Sequence, residues 1–244
     1  MPRTALSAAG VRRPSGILTG LTAYWPLQEA SGGAQDIINS LYLTPTGGPT
    51  QAAGPGTYMP QSRLLASASS QRLTRTDNGL LGGGSGSFMI GGFFYAVTTA
   101  NATGLVGKFT AAGSQKEYML RTREGGGNSY YEFTVSADGA AEQALNSGLS
   151  DLVAGAWTFV VCWLDAPGET MNIQVNNGTA LSAAHATGVF DSTSAFGIGT
   201  RGDAADTMFN GRAAGVFWVQ GGFLTATERS WLYNSGQGRL LMAA

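Results

Sequence analysis

The stretch that decides the fold is 157-WTFVVCWLDAPGETMNIQVNNG-178. From Trp157 to Leu164 nearly every residue is apolar at both odd and even positions, which suits a strand covered on both faces. The segment Ala166–Glu169 carries Pro and Gly, residues that set or permit turn dihedrals. From Glu169 to Asn176 the pattern changes. Met171, Ile173 and Val175 are apolar, while Asn172, Gln174 and Asn176 are polar. Alternation at period two predicts one face towards a core and one towards water. The segment therefore reads as an antiparallel hairpin with a central first strand.

The same signals recur outward along the chain. The runs 21-LTAYWPL-27, 41-LYLT-44, 71-QRLTRT-76, 104-GLVGKF-109, 117-EYMLRTR-123, 129-SYYEFTVSA-137, 195-AFGIGT-200 and 213-AAGVFWVQ-220 read as strands separated by Gly, Ser, Asn and Pro clusters. In 88-FMIGGFFYAV-97 both parities are apolar again, as in a second central strand. Residues 45–56 and 79–87 read as loops by composition, the latter a flexible one. One segment reads as helix, 225-TATERSWLYNSG-236. Thr225 and Glu228 form a capping box, Leu224, Trp231 and Leu232 share a face, and Gly236 is the expected terminator. About a dozen strands and one short helix near the C-terminus predict an all-β, two-sheet antiparallel sandwich.

Bulk properties narrow the function. The 244 residues are 43% hydrophobic but only 12% charged, with 37 glycines and a net charge of −1. Such a balance creates no field that gathers nucleic acid. The first 28 residues carry Arg3, Arg12 and Arg13 and no acid. Residues 1–17 read as a flexible basic arm, and 18–244 as the sandwich. The arm is either a solvated terminus or a docking element. The single cysteine, Cys162, excludes an intrachain disulfide and sits where a small buried hydrophobe belongs. No signal-peptide pattern and no membrane-length apolar run occurs. The expectation is synthesis in a host cytoplasm, with neither membrane nor nucleic acid as partner.

The order of motifs resembles the laminin-G-like and concanavalin-A-like jelly-roll domains. The segment 20-GLTAYWPLQEASGGAQDIINSLYLT-44 is similar to their opening Gly-Leu-x-x-Tyr-Trp-Pro-Leu strand and the Asp/Asn segment after it. In 87-SFMIGGFFYAV-97, Phe93 and Phe94 stand near the family's customary Trp. The 105-LVGKF-109 and 117-EYMLRTR-123 pair, the 157–178 hairpin and 209-FNGRAAGVFWVQGGFLTATERSWLYNSG-236 complete the likeness over residues 18 to about 240. Where the family often places an acid after Phe-x-Gly, Ala213 and Ala214 follow Arg212, so no polar role is expected there. The resemblance implies a concanavalin-A-like sandwich that binds glycans or proteins, hydrolyses polysaccharides, or builds particles.

Chemistry-bearing residues are sparse. A glycosidase on such a fold needs a carboxylate pair flanking the scissile bond. Here Glu117, Glu124 and Glu132 are scattered around a Gly turn. Asp203 and Asp206 lie in a loop that also contains Arg201-Gly202-Asp203, a cheap tripeptide match. His185, the only histidine, has no nucleophile-elbow sequence to serve. A zinc site is excluded by count. Calcium is the ion the resemblance implies, and Asp36 with Asn39 are the candidate ligands, with Asx turns as the plainer reading. Asp203 with Asp206 is a second pair. The segment 79-GLLGGGSGS-87 lacks the Lys-Ser/Thr of a phosphate-binding loop. Tyr130 and Tyr131 are candidates for stacking on sugar rings, against core packing as the alternative.

These observations favour a non-enzymatic structural or binding protein. The leading expectation is a phage virion component, a capsid decoration or tail accessory protein. It would dock on other virion proteins through Arg3, Arg12 and Arg13, and its apolar sheet faces would allow self-association. The alternative is a lectin-like module that binds a cell-surface glycan as adhesin or receptor binder. A polysaccharide hydrolase ranks last.

Overall fold

The computed structural model describes Pro14 and residues 16–99, 102–203 and 208–241. Arg3, Arg12, Arg13 and Asp206 lie outside the described residues. One helical turn, α1 (Ile17–Gly20), precedes β1 (Ala23–Trp25), β2 (Thr44–Thr46), β3 (Thr50–Gly56), β4 (Met59–Leu65) and β5 (Arg72–Arg75). Then come β6 (Phe88–Ala96), β7 (Gly104–Thr110), β8 (Gln115–Gly125), β9 (Asn128–Val135) and β10 (Gln143–Asn146). The chain continues through β11 (Trp157–Asp165), β12 (Thr170–Val175), β13 (Leu181–Ala184), β14 (Phe196–Ile198) and β15 (Gly211–Gln220) to the helix α2 (Ala226–Tyr233).

The strands form two antiparallel sheets. One has the order β13-β12-β11-β6-β15-β4-β3, with β1 also paired to β15; the other runs β10-β9-β8-β7-β14-β5-β2. β1 and β4 share β15 as partner along different stretches, Trp218–Val216 and Gly211–Ala213. Between them β15 bulges at Gly215, whose φ of 54° suits glycine, and a Cβ there would lie 2.6 Å from Met59 Cε.

The two apolar parities of the central strands now separate. From β6 and β11, Phe88, Ile90, Phe94, Val160, Cys162 and Leu164 enter the core between the sheets. Met89, Phe93, Phe159, Val161 and Trp163 face the other way, into a second cluster under Leu224, Leu232 and Leu241. Helix α2 and the segments flanking it cover that outer face. Burying a leucine in this way contributes about 1.5–3 kcal/mol. In the main core Trp218 stacks on Tyr118 at 4.6 Å and on Phe88 at 5.0 Å, linking the sheets.

Several local readings change. Asn172 and Gln174 do not face water: both are 7% exposed. Arg229 of α2 explains Gln174, its Nε donating to Oε1 at 2.7 Å while its guanidinium lies 4.5 Å over the Trp163 ring. In the hairpin turn Glu169, not Gly168, takes positive φ (50°). Gly168 instead makes room for Asp165, whose Oδ2 would be 2.5 Å from a Cβ. Residues 45–56 hold part of β2 and all of β3, so they are not a loop. The 79–87 segment is held rather than flexible. The Leu80 and Leu81 carbonyls accept from Trp218 Nε1 (2.9 Å) and Tyr118 OH (2.6 Å), and Gly83 N donates to Glu117.

The capping box of α2 is present: Thr225 N donates to Glu228 Oε2 at 2.8 Å, and Glu228 N to Thr225 Oγ1 at 3.3 Å. The helix ends at Asn234 in left-handed conformation, two residues before the expected Gly236. The outermost strands are protected. β2 contains Pro45 and β3 contains Pro55. On the opposite side the Gln143 amide of β10 donates to Ala184 O of β13 at 2.6 Å, tying one sheet to the other. Among the described residues no helix is long and apolar enough to cross a membrane.

Candidate functional site

A well-formed concavity lies where α2 crosses the outer face of the eight-stranded sheet. It encloses about 620 Å³. One wall is the outward side of α2, with Thr227, Ser230 and Trp231. The turn after the helix adds Asn234 and Ser235, and the end of the β11–β12 hairpin adds Asn177. Asn177, Asn234 and Ser235 all have positive φ (56°, 47° and 54°). Asparagine tolerates that region better than most residues, so the sequences Asn-Asn-Gly and Asn-Ser-Gly place polar side chains at the rim. Behind Asn177, Asn176 Oδ1 accepts from Phe159 N at 2.9 Å and fixes the turn.

Arg239 is the only charged residue in this lining among the described residues. Its guanidinium lies 5.2 Å from the Trp231 ring and 5.5 Å from the Tyr58 ring, and Nη2 donates to Asn234 Oδ1 at 2.8 Å. The site thus combines aromatic surface, hydroxyls, amides and one cation. Ligand pockets of this kind pair apolar contact with a few placed polar groups. None of these residues stood out in the sequence. Trp231 read as a core residue of the helix, and Arg239 follows the last recognisable element.

The second polar surface is the outer face of the seven-stranded sheet. Arg121 pairs with Glu132 and Glu142, Arg123 Nε lies 3.4 Å from Glu132, and Lys116 lies 2.8 Å from Glu142. Burial pushes the Glu142 carboxyl up, but Lys116 and Arg121 outweigh it and hold it below its ordinary pKa. Each of these five groups has an opposite charge beside it, so the face presents a closed network. Tyr130 sits next to it, half-buried and opposite Arg123.

Tyr131 points the other way. It is 1% exposed in the main core, where burial raises its phenol pKa against a hydrogen bond with Thr158. A sugar cannot reach it, so the pair of stacking candidates reduces to Tyr130. Trp163, Trp218 and Phe94 are core residues as well.

Asp36 and Asn39 are neighbours, but their geometry does not fit a calcium ion. Asp36 Oδ1 accepts from Tyr24 N and Ile38 N at 2.9 Å, and Oδ2 from Asn39 N and Leu41 N at 2.9 and 3.0 Å. Asn39 turns its Nδ2 to Thr22 O at 2.8 Å. Calcium needs six to eight oxygens with free lone pairs, whereas this carboxylate faces four N–H donors. Asp203 likewise accepts from Ala111 N and from Arg201. Among the described residues no group of three or more His, Cys, Asp or Glu side chains is placed to hold a metal.

Acids do converge at one point. Lys108 Nζ, fully buried, contacts Asp77 at 2.9 Å, Glu117 at 2.8 Å and Asp191 at 3.7 Å. Glu117 also accepts from Gly83 N, Ser192 N and Ser192 Oγ. Burial alone would lower the Lys108 pKa, but Asp77 and Glu117 raise it, so the ammonium stays charged. Glu117 is raised by burial despite Lys108. Its oxygens are fully engaged, leaving no free lone pair aimed at a substrate. His185 Nδ1 shares a hydrogen bond with Gln143 Oε1 at 2.7 Å and Nε2 lies 3.4 Å from Gly188 O, so both ring nitrogens face groups that are not nucleophiles. Cys162 is buried in the core, where burial pushes its thiol pKa well up.

This architecture defines the chain as an all-β, two-sheet antiparallel sandwich with one short C-terminal helix, and solved structures share that fold. Domain 4 of AbnA, an extracellular arabinanase of Geobacillus stearothermophilus, solved in complex with arabinotriose, is similar at TM-score 0.61 and 15% identity. That match covers 89% of this chain and 98% of the other. The binding domain of Paraclostridial Mosquitocidal Protein 1 is similar at TM-score 0.66 and 13% identity, covering 90% of this chain. So is a structure of botulinum neurotoxin type C, at TM-score 0.64 and 15% identity, covering 91%. Passage of that toxin into cells is dependent upon interaction with two ganglioside molecules. The chain spans 53% of each of the last two. At such identities the likeness is one of fold. No protein-family model and no curated protein matches the chain.

Proposed function

We propose that this protein is a non-enzymatic glycan-binding module whose site is the cavity beside α2. The observation that carries this reading is the meeting of Trp231 with the Asn177, Ser230 and Asn234 side chains around 620 Å³ of open space. A sugar offers an apolar face of C–H groups that packs on an aromatic ring. Its hydroxyls need donors and acceptors spaced around that ring, which amides and hydroxyls supply. The similar arabinanase domain solved with arabinotriose, and the toxin whose cell entry depends on two gangliosides, lend support to this ligand class. The non-enzymatic part of the reading is supported by Glu117 and Lys108, which neutralise one another.

The test is a binding survey of oligosaccharides against the purified chain. At least one saccharide class is expected to bind, and Trp231→Ala to weaken it by about tenfold, roughly 1.4 kcal/mol. Trp231→Phe, which keeps a ring, restores most of the loss. A survey with no binder, or an unchanged affinity in Trp231→Ala, defeats the proposal. Loss of binding in Tyr130→Ala instead would move the site to the seven-stranded sheet. Docking on capsid or tail proteins in a virion is the second reading. It leans on Arg3, Arg12 and Arg13, and none of the similar structures above is a virion protein.

A further inference from the structure

We propose that the saccharide taken by this cavity is acidic, and that Arg239 holds its carboxylate. This rests on the cavity being a glycan site and names the class of glycan. Lys108, Lys116, Arg121, Arg123 and Arg201 each have a carboxylate at 3.4 Å or closer. Arg239 pairs with no carboxylate among the described residues. Arg63, Arg72, Arg75, Arg212 and Arg229 also lack one, but none of them lines this cavity: Arg63 donates to the carbonyls of Glu29 and Gly32, Arg72 to that of Ser70, Arg75 to that of Tyr42, Arg229 to Gln174 and the Leu224 carbonyl, and Arg212 lies over the Tyr95 ring. Arg239 makes one hydrogen bond, to Asn234, and its buried Nε makes none.

A guanidinium carries five N–H donors in a planar fork, and that fork matches a carboxylate at two points. Trp231 and Tyr58 lie on this group at 5.2 and 5.5 Å, so the rings restrict its orientation before any ligand arrives. Among the described residues the lining holds no Asp or Glu to compete for it. A neutral sugar would meet the hydroxyls and the ring but leave the fork facing water. A uronate or another carboxylated sugar would use all three.

The experiment titrates the full chain with a galacturonate tetrasaccharide and with its carboxyl-reduced, neutral counterpart. The acidic ligand is expected to bind about tenfold more tightly, and the advantage to shrink in added salt. In Arg239→Gln the two affinities converge. In Arg239→Lys, which keeps charge but not the fork, part of the preference survives; this variant also carries the test if Arg239→Gln does not fold. Equal affinities in the unaltered chain overturn the acidic assignment alone. A preference that persists in both variants does the same. Failure of every saccharide to bind defeats the glycan reading with it. An aspartate-rich peptide that competes as well as the saccharide would move the site to a protein ligand and overturn the assignment.

Discussion

Lys108 shows how much one buried charge depends on partners distant in sequence. Its ammonium is held by Asp77, Glu117, Asp191 and the Ser192 carbonyl. Lys108→Met leaves Glu117 buried without its cation and is expected to cost about 3–5 kcal/mol in a denaturant titration. Adding Glu117→Gln recovers much of it, because a neutral amide needs no counter-ion. The sign with pH follows from burial, which already raises the Glu117 pKa in the folded state. Removing the lysine raises it further. A folded-state acid with raised pKa binds protons that the unfolded chain has released, so stability falls as pH climbs above about 4.3. The Lys108→Met defect is therefore larger at pH 7 than at pH 4. Asp36 gives the complementary case. Asp36→Ala strips four backbone amides of their acceptor and is expected to lower the melting temperature clearly, whereas calcium or a chelator leaves the unaltered chain unchanged. Sequence singled out Asp36 for its oxygen atoms, but the four N–H groups that take them come from residues 24 to 41 and depend on how that loop closes. Lys108 could not be read at all, since its partners lie on other segments.

Elements were legible where patterning was strong. The 157–178 hairpin, β6 and the α2 capping box follow from apolar parity and from Thr225 with Glu228. β3, β4, β10 and β13 have no such pattern: β3, β10 and β13 are rich in Gly, Ala, Gln and Ser, β4 mixes Pro60, Gln61, Ser62 and Arg63 among its apolar residues, and neighbouring strands impose their pairing. Alternation in β12 correctly sent Met171 and Ile173 inward. It misled about Asn172 and Gln174, because strand periodicity carries no information on whether a helix will cover the far face. The cover itself can be tested. Thr225→Ala removes half of the capping box and is expected to destabilise by about 1 kcal/mol. Because α2 forms a wall of the cavity, the same change should loosen ligand binding as well, measured by titration with whichever saccharide binds.

At the scale of the whole molecule, two apolar clusters share the central strands β6, β11 and β15, so neither sheet face can open alone. Cys162 sits in the middle of β11, paired in register with Ile90 and Ile173. Its labelling by a thiol reagent is expected to be slow in the native state and to follow global unfolding, with the same midpoint as the loss of tertiary signal in denaturant. Labelling well before that midpoint would show that β11 comes loose from the rest. The candidate site was the part least visible in sequence, since Asn177, Trp231 and Arg239 meet only once the helix has docked. The margins of the sandwich carry a last consequence. Backbone groups at a bare sheet edge are a template on which another chain can stack. Here Pro45 and Pro55 remove amide donors on one flank, while Gln143 stitches the two layers on the other. Crowded samples of this protein should therefore stay dispersed and form no fibres, even though so much of the chain is extended ribbon.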